Sequence, residues 1–151
     1  MKQAWRIVME KHAATAFDGE GARRYGGRWN STGTRMIYTS AALSLAALES
    51  LVHLNPPVKF KYVAIPIECD DALLESIPKV GLPANWTEEP PPPSTKQIGD
   101  LWVKEARSAV LEVPSAVIRS ERNYLLNPAH PDFGRIQVGK AVPSAFDPRL
   151  L

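Results

Sequence analysis

The stretch Gly19-Glu20-Gly21-Ala22-Arg23-Arg24-Tyr25-Gly26-Gly27-Arg28-Trp29-Asn30 constrains the fold most. Its twelve residues hold four of the chain's nine glycines and three of its arginines. Glycine admits positive φ and lets backbone approach a ligand closely. Arginine presents a planar fork of donors matched to phosphate or carboxylate. A segment rich in both is not a buried strand; residues 17–34 read as a loop able to cradle an anion. A solvated surface loop has the same composition, so the choice rests on the elements that follow.

Those elements alternate. Ala4 to Met9 reads as a first strand, with Arg6 on the face opposite Trp5 and Ile7. Met36 to Thr39 reads as a short strand. Ser40 is placed to N-cap a helix from Ala41 to about Leu54, stopped by Asn55-Pro56-Pro57. Lys59 to Glu68 reads as a strand in which Pro66 marks an edge or a bulge. Residues 77–93 are irregular and end in four prolines, an extended, stiff connector. Ser94 and Gln97 have capping-box spacing and open a helix to about Val110. Leu111 to Arg119 reads as a strand broken by Pro114, Asn123 to Phe133 as turn-rich, and Arg135 to Val138 as a last short strand. Strands dominate, two helices are inserted and no repeat is visible. The pattern predicts one mixed α/β domain, as 151 residues with 44% hydrophobic and 23% charged content allow.

Several function classes drop out. A net charge of +2 tolerates an anionic ligand without demanding nucleic acid. Basic residues do not interleave with aromatics along one helix. The lone Cys69 fits a reducing, cytoplasmic setting and excludes a cysteine-rich zinc site. His12, His53 and His130 lack metal-ligand spacing. The N-terminus, interrupted by Lys2 and Arg6, does not read as a signal peptide. Residues 41–54 are too short and too polar to span a bilayer. There is no Walker A sequence and no nucleophile elbow around Ser115.

A lone carboxylate in an apolar helix remains. Ten of the fourteen residues from Ala41 to Leu54 are apolar, so Glu49 sits either on a narrow solvent stripe with His53 or at the wall of a cleft. Tyr38 is either a sheet residue or a ring and hydroxyl for a ligand. Ser115 either caps backbone or touches a ligand. Asn123 and Asn127 can shape turns. Glycoside hydrolysis ordinarily needs two carboxylates, one to protonate the leaving group. Cleavage of nicotinamide from NAD does not, because the pyridinium departs as neutral nicotinamide. One carboxylate can then stabilise the ribosyl cation.

Trp5-Arg6, Gly26-Gly27-Arg28-Trp29-Asn30, Ile37-Tyr38-Thr39-Ser40, Ala46-Ala47-Leu48-Glu49, Gly99-Asp100-Leu101-Trp102, Val113-Pro114-Ser115 and Asn123-Tyr124-Leu125-Leu126-Asn127-Pro128 occur in order. That set, through most of the chain, resembles the RES-domain family, named for its arginine, glutamate and serine. The resemblance implies a compact α/β (mixed α+β) domain over residues 1–151, similar to ADP-ribosyltransferases, with a split sheet around an NAD cleft. It implies a toxin that consumes NAD by hydrolysis or phosphorolysis; the alternative is ADP-ribosyl transfer to a protein. A non-catalytic nucleotide-binding module is the rival from another class. The implied catalytic set is Arg28, Tyr38, Glu49 and Ser115, with Arg6 and Asn123 added for NAD contact and no metal. The implied partner is an Xre-like helix-turn-helix antitoxin, through which alone DNA would be met. Inorganic phosphate is a candidate acceptor, a homodimer is compatible, and no membrane is involved.

Overall fold

A computed structural model of the chain describes residues 1–53 and 60–150. Eight strands form the frame: β1 (Lys2–Met9), β2 (Ile37–Ser40), β3 (Tyr62–Cys69), β4 (Leu74–Ser76), β5 (Val110–Pro114), β6 (Arg122–Leu126), β7 (Gln137–Val138) and β8 (Val142–Ser144). Among the described residues three α-helices accompany them: α1 (Glu20–Tyr25), α2 (Leu43–Leu51) and α3 (Pro93–Glu105). The sheet order is β4-β5-β6-β2-β1-β3-β7, with β8 also on β3. All pairs are antiparallel except β4 with β5.

The sheet has two well-laddered parts. Eight residues of β1 pair with β3, from Lys2↔Cys69 to Met9↔Tyr62. All four residues of β2 pair with β6, from Ile37↔Leu126 to Ser40↔Asn123. Between these parts β1 and β2 share one register pair, Trp5↔Ser40. This is the expected mixed α/β architecture with its divided sheet. Arg6 fills the divergence: its Nε donates to the Ala16 carbonyl at 2.6 Å and its Nη1 to the Tyr38 carbonyl at 3.1 Å.

Paired residues share a face and neighbours along a strand alternate. One face therefore carries Tyr38 and Ser40 with Leu125, Asn123, Leu111 and Val113. Trp29, Met36 and Trp102 pack on it. The opposite face carries Ile37, Leu126, Val110, Ala4 and Ile67, covered by Phe17, Phe133 and Ile136. Arg6, two residues from Ala4, belongs to this second face.

Several boundaries differ from the sequence reading. Residues 17–34 are not all loop: Gly19 and Gly26, at φ 75° and 71°, bracket the short α1. Ser40 does not cap α2, which starts at Leu43 after Ala42; it ends β2 and its hydroxyl points sideways to Asn123. The Asn55-Pro56-Pro57 stop lies outside the described residues. The α2 helix is less buried than its composition suggests, with Leu45 and Ala46 buried but Leu43, Leu48 and Val52 exposed. Ser94 is the second residue of α3, after Pro93 in the first position, where a missing N–H costs nothing. The helix stops at Glu105, short of Val110. Residues 123–126 are not turn but part of β6, between β5 and β2. Pro66 lies within β3, and Gly139 N donates to its carbonyl at 2.8 Å. In a strand, N and C=O of one residue point the same way, so the missing N–H falls in the gap between β8 and β7.

Candidate active site

The inward side of α2 positions Glu49. Residues 45, 46 and 49 lie within about 100° of arc at 3.6 residues per turn, and Leu45 and Ala46 are the buried pair. Glu49 thus faces the sheet rather than a solvent stripe. Its Oε1 accepts from the Ser115 hydroxyl at 2.6 Å and from Asn123 Nδ2 at 2.9 Å. Among the described residues no donor reaches Oε2.

Both donors are held in turn. Ser115 follows Pro114, where β5 ends, and is fully buried. Its Oγ accepts from the N–H groups of Val117 and Ile118, each at 3.0 Å. It therefore caps a backbone turn and orients Glu49 at once. Asn123 is fixed by Ser40, whose Oγ donates to Asn123 Oδ1 at 2.7 Å. With that oxygen engaged, the amide turns its N–H groups toward Glu49. The four side chains form a chain Ser40–Asn123–Glu49–Ser115 with one carboxylate oxygen open.

Arg28 and Tyr38 form a second group. The Tyr38 hydroxyl donates to Asn30 Oδ1 at 2.6 Å and accepts from Trp29 N at 3.0 Å. Burial pushes its ionisation well above the ordinary tyrosine value, so it remains a hydroxyl. Asn30, fully buried, donates through Nδ2 to the carbonyls of Ala22, Ser31 and Thr34. Arg28 Nη1 donates to the carbonyls of Trp86 and Glu88 at 3.0 and 2.7 Å, and Nη2 to Glu89 Oε2 at 2.8 Å. Helix α3 clamps the same loop. Thr95 Oγ1 donates to the Arg28 carbonyl, and Asp100 accepts from Ser31 N. A Cβ on Gly99 would lie 1.7 Å from the Trp29 carbonyl oxygen, so only glycine lets the helix approach so near.

Arg6 lies on the opposite face, away from Glu49, with its donors on the carbonyls of Ala16 and Tyr38. Burial, partly offset by Asp18, lowers its pKa to about 10, which leaves it charged at neutral pH. Two cavities also lie away from Glu49. One of about 330 Å³ is lined by Tyr62, Phe146 and neighbours, the other of about 280 Å³ by Arg23, Arg35 and Lys104 among others. Among the described residues no three His, Cys, Asp or Glu side chains converge as a metal site would require.

The family model described as RES domain matches residues 3–147. The chain belongs to the RES domain family. Toxin Res of Yersinia enterocolitica is 38% identical over 97% of both chains. The Prs ADP-ribosylating toxin of a Sphingobium strain is 36% identical over 97% of this chain and 95% of its own. A chain in the crystal structure of the M. tuberculosis MbcT–MbcA toxin–antitoxin complex superposes with a TM-score of 0.76. It covers 95% of this chain and 84% of its own length at 19% identity, a likeness of fold.

Within this RES domain the residues singled out by sequence fall into two groups and one residue apart from the Glu49 cluster. Glu49, Ser115 and Asn123 meet; Arg28 and Tyr38 are joined through residues 28–30; Arg6 serves the junction of β1 and β2. Sequence reasoning missed Ser40, Asn30 and residues 86–89. Ser40 and Asn123 are 83 residues apart, and only their register pairing reveals the contact. Asn30 carried a weak local signal, an amide directly after a tryptophan in a glycine-rich loop. No helix of the described residues is long and apolar enough to cross a membrane.

Proposed function

We propose that this RES domain cleaves the bond between nicotinamide and ribose in NAD. The observation that carries the proposal is the half-engaged carboxylate of Glu49, one oxygen held by Ser115 and Asn123, the other without a donor among the described residues. When the C–N bond breaks, its electron pair leaves with nicotinamide and cancels the pyridinium charge. No acid is needed. The ribosyl carbon becomes electron-deficient, and a preorganised carboxylate stabilises that charge where it develops. Glu49 Oε2 is available to a ribose hydroxyl or to the cation itself. Water or inorganic phosphate then adds at the same carbon, and the proton of the attacking group passes to solvent. Products are nicotinamide with ADP-ribose, or with ADP-ribose-1″-phosphate.

Tyr38 and Arg28 serve this chemistry through the wall of the site. Tyr38 holds the backbone at Trp29, and Arg28, the arginine the family resemblance singles out, supplies the cation for the diphosphate. Transfer of ADP-ribose to a protein shares every step up to the cation. The relative named an ADP-ribosylating toxin favours keeping that second reading. The fold shared with a chain of a toxin–antitoxin complex supports a cognate antitoxin, of the Xre-like helix-turn-helix type implied by the family. An NAD-consuming toxin acts in the cytoplasm, where its substrate is.

Purified protein incubated with NAD, with and without phosphate, tests the reading. Nicotinamide release with ADP-ribose supports hydrolysis, and release with ADP-ribose-1″-phosphate supports phosphorolysis. A labelled protein band supports transfer. Binding of NAD with no nicotinamide released, by folded protein, would reduce the chain to a nucleotide-binding module.

A further inference from the structure

The proline-rich connector, residues 77–93, touches Arg28, one of the residues the family resemblance singles out. Leu82 and Trp86 pack on the sheet face that carries Val113, the register partner of Asn123. Residues 86–89 then reach Arg28, which donates to two of their carbonyls and to the Glu89 carboxylate. The Arg28 side chain is 15% exposed, whereas that of Glu89 is 66% exposed. The two carbonyl contacts tie Arg28 to the connector from within. The carboxylate is different: it is an anion, it comes from the solvent side, and its side chain is free to swing away. A carboxylate on a guanidinium fork has the charge and oxygen spacing of a phosphate group.

We propose that Glu89 is a specificity residue, an internal anion that the substrate's diphosphate displaces from Arg28. The inference rests on the NAD reading for the identity of the substrate. The Glu89 carboxylate keeps Arg28 neutralised and aligned until a better anion arrives. A ligand without a phosphate at that position meets an occupied fork and binds without it. A dinucleotide exchanges one anion for another, and the backbone contacts to Trp86 and Glu88 keep the guanidinium in place during the exchange. Arg28 gives the site its preference for substrates that carry a diphosphate over a bare nicotinamide riboside, and Glu89 tempers that preference.

Glu89→Gln tests this, because it keeps size and removes the competing charge. Displacing an exposed ion pair costs little, so the KM for NAD is expected to fall about two- to fivefold with kcat unchanged. The dissociation constant for ADP-ribose, measured by calorimetry, should fall in parallel, while the KM for nicotinamide riboside stays constant. Glu105→Gln, a remote change of equal charge, should leave all three values alone. A raised KM or lowered kcat in Glu89→Gln would overturn the proposal, since Glu89 would then be part of the binding wall. So would an equal effect from Glu105→Gln. If wild-type protein neither releases nicotinamide nor binds ADP-ribose, the NAD reading falls by itself. Inorganic pyrophosphate then decides the remaining question: tighter binding by Glu89→Gln than by wild type sustains the competition at Arg28, and equal binding overturns it.

Discussion

The Glu49 cluster and the Arg28–Tyr38 loop are both polar, both partly buried and both built from residues the family resemblance singles out, yet they are wired in opposite ways. Around Glu49 the hydrogen bonds converge on one carboxylate oxygen and leave the other open. Around Tyr38 the hydroxyl has both a donor and an acceptor, and Arg28 is occupied by three oxygens of residues 86–89. The first arrangement keeps capacity for a ligand. In the second the capacity is taken up within the protein, by backbone groups, by the Asn30 amide and, at Arg28, by the exposed carboxylate of Glu89. A residue's chemical type does not separate the two; its partners do.

Glu49→Gln tests the reactive side of this contrast and should have the largest effect. It keeps an acceptor for Ser115 and Asn123 but removes the charge. The rate of nicotinamide release should fall about a hundred- to a thousandfold, with the thermal midpoint little changed. An active, folded variant would remove Glu49 from the chemistry.

The scaffolding side is tested by stability first. Gly99→Ala drives a methyl into the Trp29 carbonyl. Its cost should reach or pass the roughly 3 kcal/mol upper end of ordinary overpacking, read from urea unfolding. Tyr38→Phe is gentler. It leaves Asn30 Oδ1 and the Trp29 N–H without their partner and should cost about 1–3 kcal/mol. Activity per folded molecule should fall far less than in Glu49→Gln. A thousandfold loss of kcat in a fully folded Tyr38→Phe would break the contrast and make Tyr38 a catalytic group.

The smallest effect appears in alkali. In the folded protein burial raises the Tyr38 pKa above its ordinary 10.0. The unfolded chain therefore loses that proton first, and above pH 10 it binds fewer protons than the folded state. Stability then falls as pH rises through that region. Tyr38→Phe should lose stability less steeply than wild type between pH 10 and pH 11, by urea titration at each pH.

Much of this was legible in the sequence where the signal is local. The strands β1 and β3 announce themselves by Ile7-Val8 and by Tyr62 to Ile65, and the spacing of Ser94 and Gln97 marks the start of α3 to within a residue although Ser94 does not cap it. The inward placement of Glu49 was one of two readings, and only the burial of Leu45 and Ala46 on the same side of the helix decides between them. Strand β6 was hidden because Asn123 lies within it and Asn127 directly after it, and turns favour asparagine. Here Asn123 instead carries a buried amide between Ser40 and Glu49. The use of Arg28 was not legible at all. Its partners lie 58 to 61 residues away, on a connector whose own sequence suggests only stiffness.

The insertion of β6 between β2 and β5 also sets a schedule. Glu49 meets Ser115 across 66 residues and Asn123 across 74. A ribosome adding about 5–20 residues per second takes roughly 4 to 15 seconds to cover the longer interval. Throughout that time the nascent chain carries its carboxylate without either residue that aims it. The Glu49 cluster can form only once residue 123 has been added, and on the proposed function a shorter nascent chain lacks the groups that aim its carboxylate.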